Sequence, residues 1–403
     1  MKYIILKIRQ MRRIDFLILF SVIALSLYGV ISIFNATNFN SAKRQLLFIV
    51  VSFIILCIIL LVDYSSFKPF IPLIYYSNVI LLIFTKIFTE KVNGANGWIQ
   101  LGSFTLQPSE FMKISMILMI AKIIDEYEGK INDREIVVKL VFYIALPLIS
   151  IVIQPDMGMT LVCFIMCVGI LFIAGLNIKI FLGGFLLAVF SVLVVWDTDI
   201  LPPYWKSRVI SFLDPSADSL GNGLQVVQSK IGIGSGGLLG KQSILLGNPQ
   251  NSYVSQFVPE PQNDFIFSII GEYWGFIGAI VLLSIFSIMV IRVIKIAKTS
   301  KDKFGELFCV GMIFYILYAV FQNIGMTIGL IPVTGINLPF VSYGGSSILS
   351  NMIGIAIVLN INMRKDPIVF NNWFCYIIWI SKYIYKMINW FYRVWLCIIF
   401  TEF

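Results

Sequence analysis

Residues 264–291 read DFIFSIIGEYWGFIGAIVLLSIFSIMVI. Asp264 and Glu272 are the only charges in this run. A helix needs about 20 mostly apolar residues to cross a bilayer, so this stretch is long enough to span one. Runs of the same kind occupy 15–34, 45–62, 69–88, 108–122, 136–153, 157–175, 178–196, 305–330 and 344–361. Composition agrees: 59% of residues are hydrophobic, 13% are charged and mean hydropathy is +0.91. Soluble domains are about 45–50% apolar and about 25% charged, and a water-soluble globule of this composition would expose apolar surface everywhere. The sequence therefore predicts an all-α polytopic membrane protein, with ten transmembrane helices and one long extracytoplasmic loop over 197–263.

Lys and Arg set the orientation. The N-terminus carries Lys2, Lys7, Arg9, Arg12 and Arg13, and the connection after the eighth run carries Arg292, Lys295, Lys298, Lys301 and Lys303. Ten spans put these segments on one side, which collects 17 basic residues against 7 on the other. Positive charge favours the cytoplasmic face, so both termini are expected in the cytoplasm. The net charge of +9 is then a membrane-face feature and does not point to nucleic acid. The first run is long and no small-residue cleavage site follows it, so it reads as a retained span. The chain divides into a ten-span body, 1–366, and a tail, 367–403. In the tail Lys382, Lys386, Asn389 and Arg393 share one helix face among aromatics, which suits a helix lying in the interface. An eleventh span is the alternative, made costly by its basic residues.

The chain has no histidine. That excludes a Ser-His-Asp triad, an H-E-x-x-H zinc site and a His-ligated haem, and leaves carboxylates as natural bases. The cysteines 57, 163, 167, 309, 375 and 397 all sit in apolar runs and read as packing residues. An outward-facing site has no ATP or nicotinamide pool available.

Five constellations stand out. In Gln107-Pro108-Ser109-Glu110-Phe111-Met112-Lys113, Glu110 and Lys113 share a helix face one turn apart, as a structural ion pair or as a pair bordering a cavity. Gln154-Pro155-Asp156 is either a tight turn or part of a site. Glu260 and Asp264 lie where the long loop re-enters the membrane. Asp264 is either a helix N-cap or a general base at a wet–dry boundary; capping would explain neither Glu260 nor Glu272. Gly232-Ile233-Gly234-Ser235-Gly236-Gly237 fits a dinucleotide fingerprint only formally, since no βαβ unit surrounds it. Its glycines suit tight turns or close approach to a ligand. The uncharged outer connection runs from Ile331-Pro332-Val333-Thr334-Gly335 to Pro339–Ser347. With Ser342, Ser346 and Ser347, it is either a glycine-dependent turn or a set of donors suited to a diphosphate.

Taken in order, these segments resemble the SEDS family (shape, elongation, division and sporulation proteins) over residues 12–365. The resemblance also rests on Asn93-Gly94-Ala95 with Trp98, Arg208 with Phe212-Leu213-Asp214-Pro215, and Gln228-Ser229-Lys230. Gln322–Leu330 resembles the elongation members, RodA, more than the division members, FtsW. The chain departs from the common pattern at Gly97, at Pro261-Gln262-Asn263 and at Tyr273.

The resemblance implies a peptidoglycan glycosyltransferase that polymerises lipid II, a disaccharide-pentapeptide on undecaprenyl diphosphate, outside the cell membrane. It implies Asp264 as the catalytic base. Arg208 and Lys230 would hold diphosphate charge, and Glu260, Gln154, Asp156, Glu110, Lys113, Ser342, Ser346 and Ser347 would bind substrate or support the site. No cofactor is evident, although a divalent cation, Mg or Mn, could share the diphosphate charge. Partners implied are a class B penicillin-binding transpeptidase and other elongation-complex membrane proteins. A lipid II transporter and a recruiting scaffold are the competing readings.

Overall fold

The computed structural model describes residues 13–89, 97–101, 104–127, 130–196, 203–214, 221–241 and 252–365. All ten apolar runs fall on helices: α1 (Phe16–Ala36), α2 (Phe39–Leu61), α3 (Ile71–Phe88), α4 (Pro108–Glu126), α5 (Arg134–Ile153), α6 (Met157–Ile173), α7 (Ile178–Trp196), α11 (Ile266–Lys298), α12 (Lys303–Thr327) and α13 (Gly345–Met363). Their starts follow ordinary capping chemistry. The side chains of Asp15, Asn38, Asp156 and Asp302 accept backbone N–H groups at the heads of α1, α2, α6 and α12. Pro108 occupies the first turn of α4, where no N–H is needed.

Among the described residues seven segments are long and apolar enough to cross a membrane: α1, α2, Tyr64–Phe88, α5, α11, α12 and α13. Met157–Ile173 and Ile178–Leu187 are apolar but shorter. Helix α4 carries Glu110, Lys113, Lys122, Asp125 and Glu126 and is nevertheless deeply buried. It packs against α3, α12, α6, α5 and α13. Around this centre, α2 lies on α13, α1 on α11, and α6 on α12.

Two features differ from the sequence expectation. Ile99–Leu101 and Phe104–Leu106 pair as a small antiparallel hairpin, with Gln100 opposite Thr105. The loop 197–263 contains helices α8 (Pro203–Leu213), α9 (Asn222–Ser235) and α10 (Tyr253–Phe257). Their periodicity is hard to read because they are short and Gly232 and Gly234 lie inside α9, where glycine is disfavoured.

Packing explains Gly232 and Gly236. A Cβ on Gly236 would lie 2.0 Å from the Gly271 carbonyl oxygen, and one on Gly232 would lie 2.1 Å from Cγ2 of Val254. The close approach is therefore to α11 and α10, not to a ligand.

Helix α11 is broken at Gly275, which has φ 60° and ψ −156°. The segment after α9 fits into the break. Phe276 N–H donates to the Gly237 carbonyl at 3.0 Å, Ile277 N–H to the Leu238 carbonyl at 3.1 Å, and Lys241 N–H to the Glu272 carbonyl at 3.0 Å. Loop backbone thus satisfies peptide groups that the kink would otherwise strand in an apolar layer.

Candidate active site

A polar cavity of about 300 Å³ opens where the heads of α4, α6, α11 and α13 meet α8. Its walls include Glu110, Lys113, Asp156, Arg208, Glu260, Asp264, Ser346 and Ser347. Residues far apart in sequence are thus gathered into one space.

Asp264 precedes α11 by two residues. The N-cap of α11 is Phe265, and no side chain caps it. Capping therefore does not explain Asp264. Its carbonyl accepts Nδ2–H of Asn323 at 2.7 Å, and the same amide donates to the Ile336 carbonyl at 2.8 Å. Asn323 is fully buried on α12 and so fixes Asp264 against the outer connection.

Gly335, at φ 73°, lies beside both Asp264 and Arg208. A Cβ there would be 3.7 Å from Asp264 Oδ2 and 3.8 and 3.9 Å from the terminal nitrogens of Arg208. Burial pushes the Asp264 carboxyl above the usual carboxylate range; its own backbone N–H and Arg208 oppose this, while Glu260 adds to it. Burial also lowers Arg208 to about 10, against the pull of Asp264 and Asp156. The arrangement pairs a base of raised pKa with a guanidinium that stays charged at neutral pH.

Asp156 does two jobs. Oδ1 accepts Met159 N–H at 3.0 Å as the N-cap of α6, and Oδ2 accepts Gln107 Nε2–H at 3.3 Å beside the cavity. Burial pushes its carboxyl up as well, countered first by the Met159 bond. The turn at 154–156 receives Nε1–H of Trp205 on its Pro155 carbonyl at 3.1 Å. That contact docks α8 and with it Arg208.

Glu110 and Lys113 are 4% and 1% exposed and paired, Nζ to Oε2, at 2.5 Å. Lys113 also donates to the Tyr315 hydroxyl at 2.8 Å and to Asn351 Oδ1 at 3.3 Å. The pair is therefore embedded in a network and borders the cavity. Glu260 has φ 46°, an uncommon conformation for a non-glycine residue, and its carboxylate accepts Asn263 Nδ2–H at 2.9 Å.

Three residues expected at the site lie elsewhere. Gln154 donates to the Leu82 carbonyl at 2.6 Å and to Thr85 Oγ1 at 2.8 Å, tying α5 to α3. Ser342 Oγ accepts Leu338 N–H at 2.8 Å within its own turn. The Lys230 stem lies against the turn after α12, with Cδ 3.6 Å from where a Cβ on Gly329 would sit. Its neighbour Ser229 pins α9, meeting Ser268 Oγ at 2.5 Å and donating to the Thr327 carbonyl at 2.7 Å.

Of the residues brought to the cavity, Ser346 also has a structural bond. It donates to the Thr105 carbonyl at 2.9 Å and accepts Gln107 N–H at 3.1 Å, joining α13 to the hairpin. Glu272 is explained too. Its carboxylate accepts Ser252 Oγ–H, Tyr253 N–H and Val254 N–H at 2.7–3.0 Å and pairs with Lys241 at 3.1 Å. Glu272 on α11 thus holds the start of the neighbouring α10.

Gln107, Thr334, Asn337 and Tyr315 also line the cavity and were not singled out individually. Thr334 Oγ1 is buried with no hydrogen-bond partner among the described residues. Thr334 and Asn337 lie in the uncharged outer connection between glycine and proline, Gln107 precedes Pro108 in the Glu110–Lys113 segment, and Tyr315 has no signal of its own inside an apolar run. Among the described residues, no three of Cys, Asp and Glu are grouped as metal ligands.

The family model for FtsW, RodA and SpoVE, described as "cell cycle protein", matches residues 5–366. The chain belongs to this family. Stage V sporulation protein E of Bacillus subtilis is 36% identical over 363 residues, covering 86% of this chain and 96% of that protein. Peptidoglycan glycosyltransferase MrdB of Escherichia coli K12 is 31% identical over 356 residues, covering 87% and 94%.

Among solved structures, a chain described under structural coordination of polymerization and crosslinking by a peptidoglycan synthase complex superposes with TM-score 0.74. It is 27% identical, with 88% of this chain and 99% of that chain covered. Thermus thermophilus RodA superposes with TM-score 0.66 at 22% identity, covering 88% and 98%, a likeness of fold. The family and the apolar helices together make the chain a multi-pass membrane protein. Relatives named stage V sporulation protein E, FtsW and MrdB are 36%, 33% and 31% identical, which does not single out the elongation subtype.

Proposed function

We infer that this protein is a peptidoglycan glycosyltransferase that polymerises lipid II on the outer face of the cell membrane. The observation that carries this reading is the cavity itself: Asp264, Arg208 and Asp156 converge there in a chain whose relatives include named peptidoglycan glycosyltransferases. In the proposed step, Asp264 takes the proton from the acceptor sugar's 4-hydroxyl. That oxygen bonds to the donor's anomeric carbon as the carbon–oxygen bond to the lipid diphosphate breaks. The stereochemistry inverts to a β-1,4 link, and the diphosphate leaves with the bonding electrons.

Arg208 faces the same space and would hold the diphosphate's charge. Thr334 and Asn337 would offer polar groups to sugar hydroxyls. Glu110 and Lys113 support the cavity wall. The proposed steps rest on protein groups, and a divalent cation bound to the diphosphate would share its charge with Arg208. Ten spans with both termini cytoplasmic remain part of this reading, supported by ten helices and the distribution of Lys and Arg. The resemblance over Gln322–Leu330 supports an elongation role with a class B transpeptidase as partner.

The rival is a transporter that moves lipid II without joining it. A carboxylate of raised pKa beside a guanidinium at an outward cavity favours chemistry over transport. Purified protein given labelled lipid II should yield a ladder of glycan chains on a gel. Movement of lipid II across liposome membranes with no polymer would reverse the assignment.

A further inference from the structure

A second cavity, of about 190 Å³, lies at the other end of the bundle among Arg13, Asp63, Ser65, Lys301, Arg364 and Lys365. Helix α13 separates the two spaces. Its head lines the Asp264 cavity and its end, with Arg364 and Lys365, lines this one. At 1.5 Å per residue that is ~30 Å, so the second cavity takes no part in the proposed chemistry.

Its charges are unbalanced. Among the described residues four cations line it against one carboxylate, Asp63, and that carboxylate is already engaged. Asp63 Oδ2 is 3.0 Å from Arg364 Nε, and Oδ1 accepts Ser65 N–H at 2.9 Å. Arg364 is further held by Asn360 Oδ1 at 2.5 Å. Arg13 spends one N–H on the Lys365 carbonyl at 2.5 Å. The acid just outside, Asp15, is paired with Arg292 at 2.6 Å.

The remaining N–H groups of Arg13 and the side chains of Lys301 and Lys365 thus border a space that has no second acid among the described residues. The three come from different segments: the lead-in to α1, the α11–α12 turn and the end of α13. Burial lowers the Lys365 pKa, and Lys295, Arg13 and Arg292 lower it further, with Asp15 opposing. An anion placed here would relieve that repulsion. In the ten-span topology proposed above, these helix ends lie at the level of phospholipid headgroups.

We propose that this cavity binds a phosphate group between Lys301, Lys365 and Arg13, carried by an anionic phospholipid headgroup or supplied as free phosphate. Full-length protein in neutral detergent tests this by thermal unfolding with short-chain phosphatidylglycerol, short-chain phosphatidylcholine or inorganic phosphate. Phosphatidylglycerol should raise the midpoint and phosphatidylcholine should not. In Lys301→Gln/Lys365→Gln the concentration needed should rise about ten- to thirtyfold, from the loss of two near-surface charges. If inorganic phosphate reproduces the response at similar concentration, the site stands and free anion is its source. Equal responses to both lipids, or equal responses of wild type and variant to phosphatidylglycerol and to phosphate, overturn the proposal. Lys301 is exposed, so Lys301→Gln alone gives the same comparison if the double variant does not fold.

Discussion

At Asp264, sequence and structure divide the work. An acidic residue ahead of a helix is ordinarily a cap, and the sequence alone left cap and base equally open. The structure removes the cap by putting Phe265 at that position. Burial raises the Asp264 pKa, Glu260 raises it and Arg208 lowers it. A base works deprotonated, so polymerisation should rise with pH through this raised pKa. Glu260→Gln should move that acidic limb to lower pH and Arg208→Gln to higher pH; rate–pH profiles of the two variants check the opposite signs. Shifts in the same direction would mean that neither charge acts through Asp264. The buried pair offers a second test. Glu110→Ala strands Lys113 at a cost of about 3–5 kcal/mol, and removing both charges should recover part of it, read as thermal midpoints in detergent. A silent Glu110→Ala would make the pair dispensable. The spacing of Glu110 and Lys113 made the pair legible in the sequence; Tyr315 and Asn351, more than 200 residues away, were not.

At the scale of elements, the ten apolar runs were readable because span length and continuous hydrophobicity are local properties. Helices α8, α9 and α10 were not. Their stability comes from docking: Trp205 on the Pro155 carbonyl, Ser229 on Thr327, and α10 on the Glu272 carboxylate. Such partners have no signature in a window of a dozen residues. The Gly232–Gly237 run was visible as unusual, but the reason for Gly236 and Gly232, contact with Gly271 and Val254, needed the fold. The break in α11 depends most on Gly240, whose φ is 88° and where a Cβ would lie 2.0 Å from the Tyr273 carbonyl oxygen. Gly240→Ala should therefore destabilise by at least the 1–3 kcal/mol typical of overpacking, seen as a lower thermal midpoint and a loss of monodisperse protein on size-exclusion chromatography. An unchanged midpoint would show that the loop does not need its close fit in the α11 break.

For the whole molecule, the fold gathers different side chains at opposite ends of one bundle. Carboxylates and small polar groups gather at the heads of α4, α6, α11 and α13, and basic residues gather at the end of α13. The tail beyond 365, expected to lie in the interface, falls outside the described residues. A reporter fused after Arg364 should be active only if it works in the cytoplasm; activity of an exported reporter at that point would invert the topology. The central claim is that Asp264 is the base in an outward polymerisation site. Its most direct measurement is the rate of glycan formation from labelled lipid II by Asp264→Asn, alongside its thermal midpoint. Asparagine keeps the size of the side chain and removes a desolvated charge. The variant should therefore fold with a midpoint at or above wild type, yet polymerise about 10²–10⁴-fold more slowly, the usual contribution of general-base catalysis. A well-folded Asp264→Asn protein that makes glycan at a rate near wild type would contradict the account.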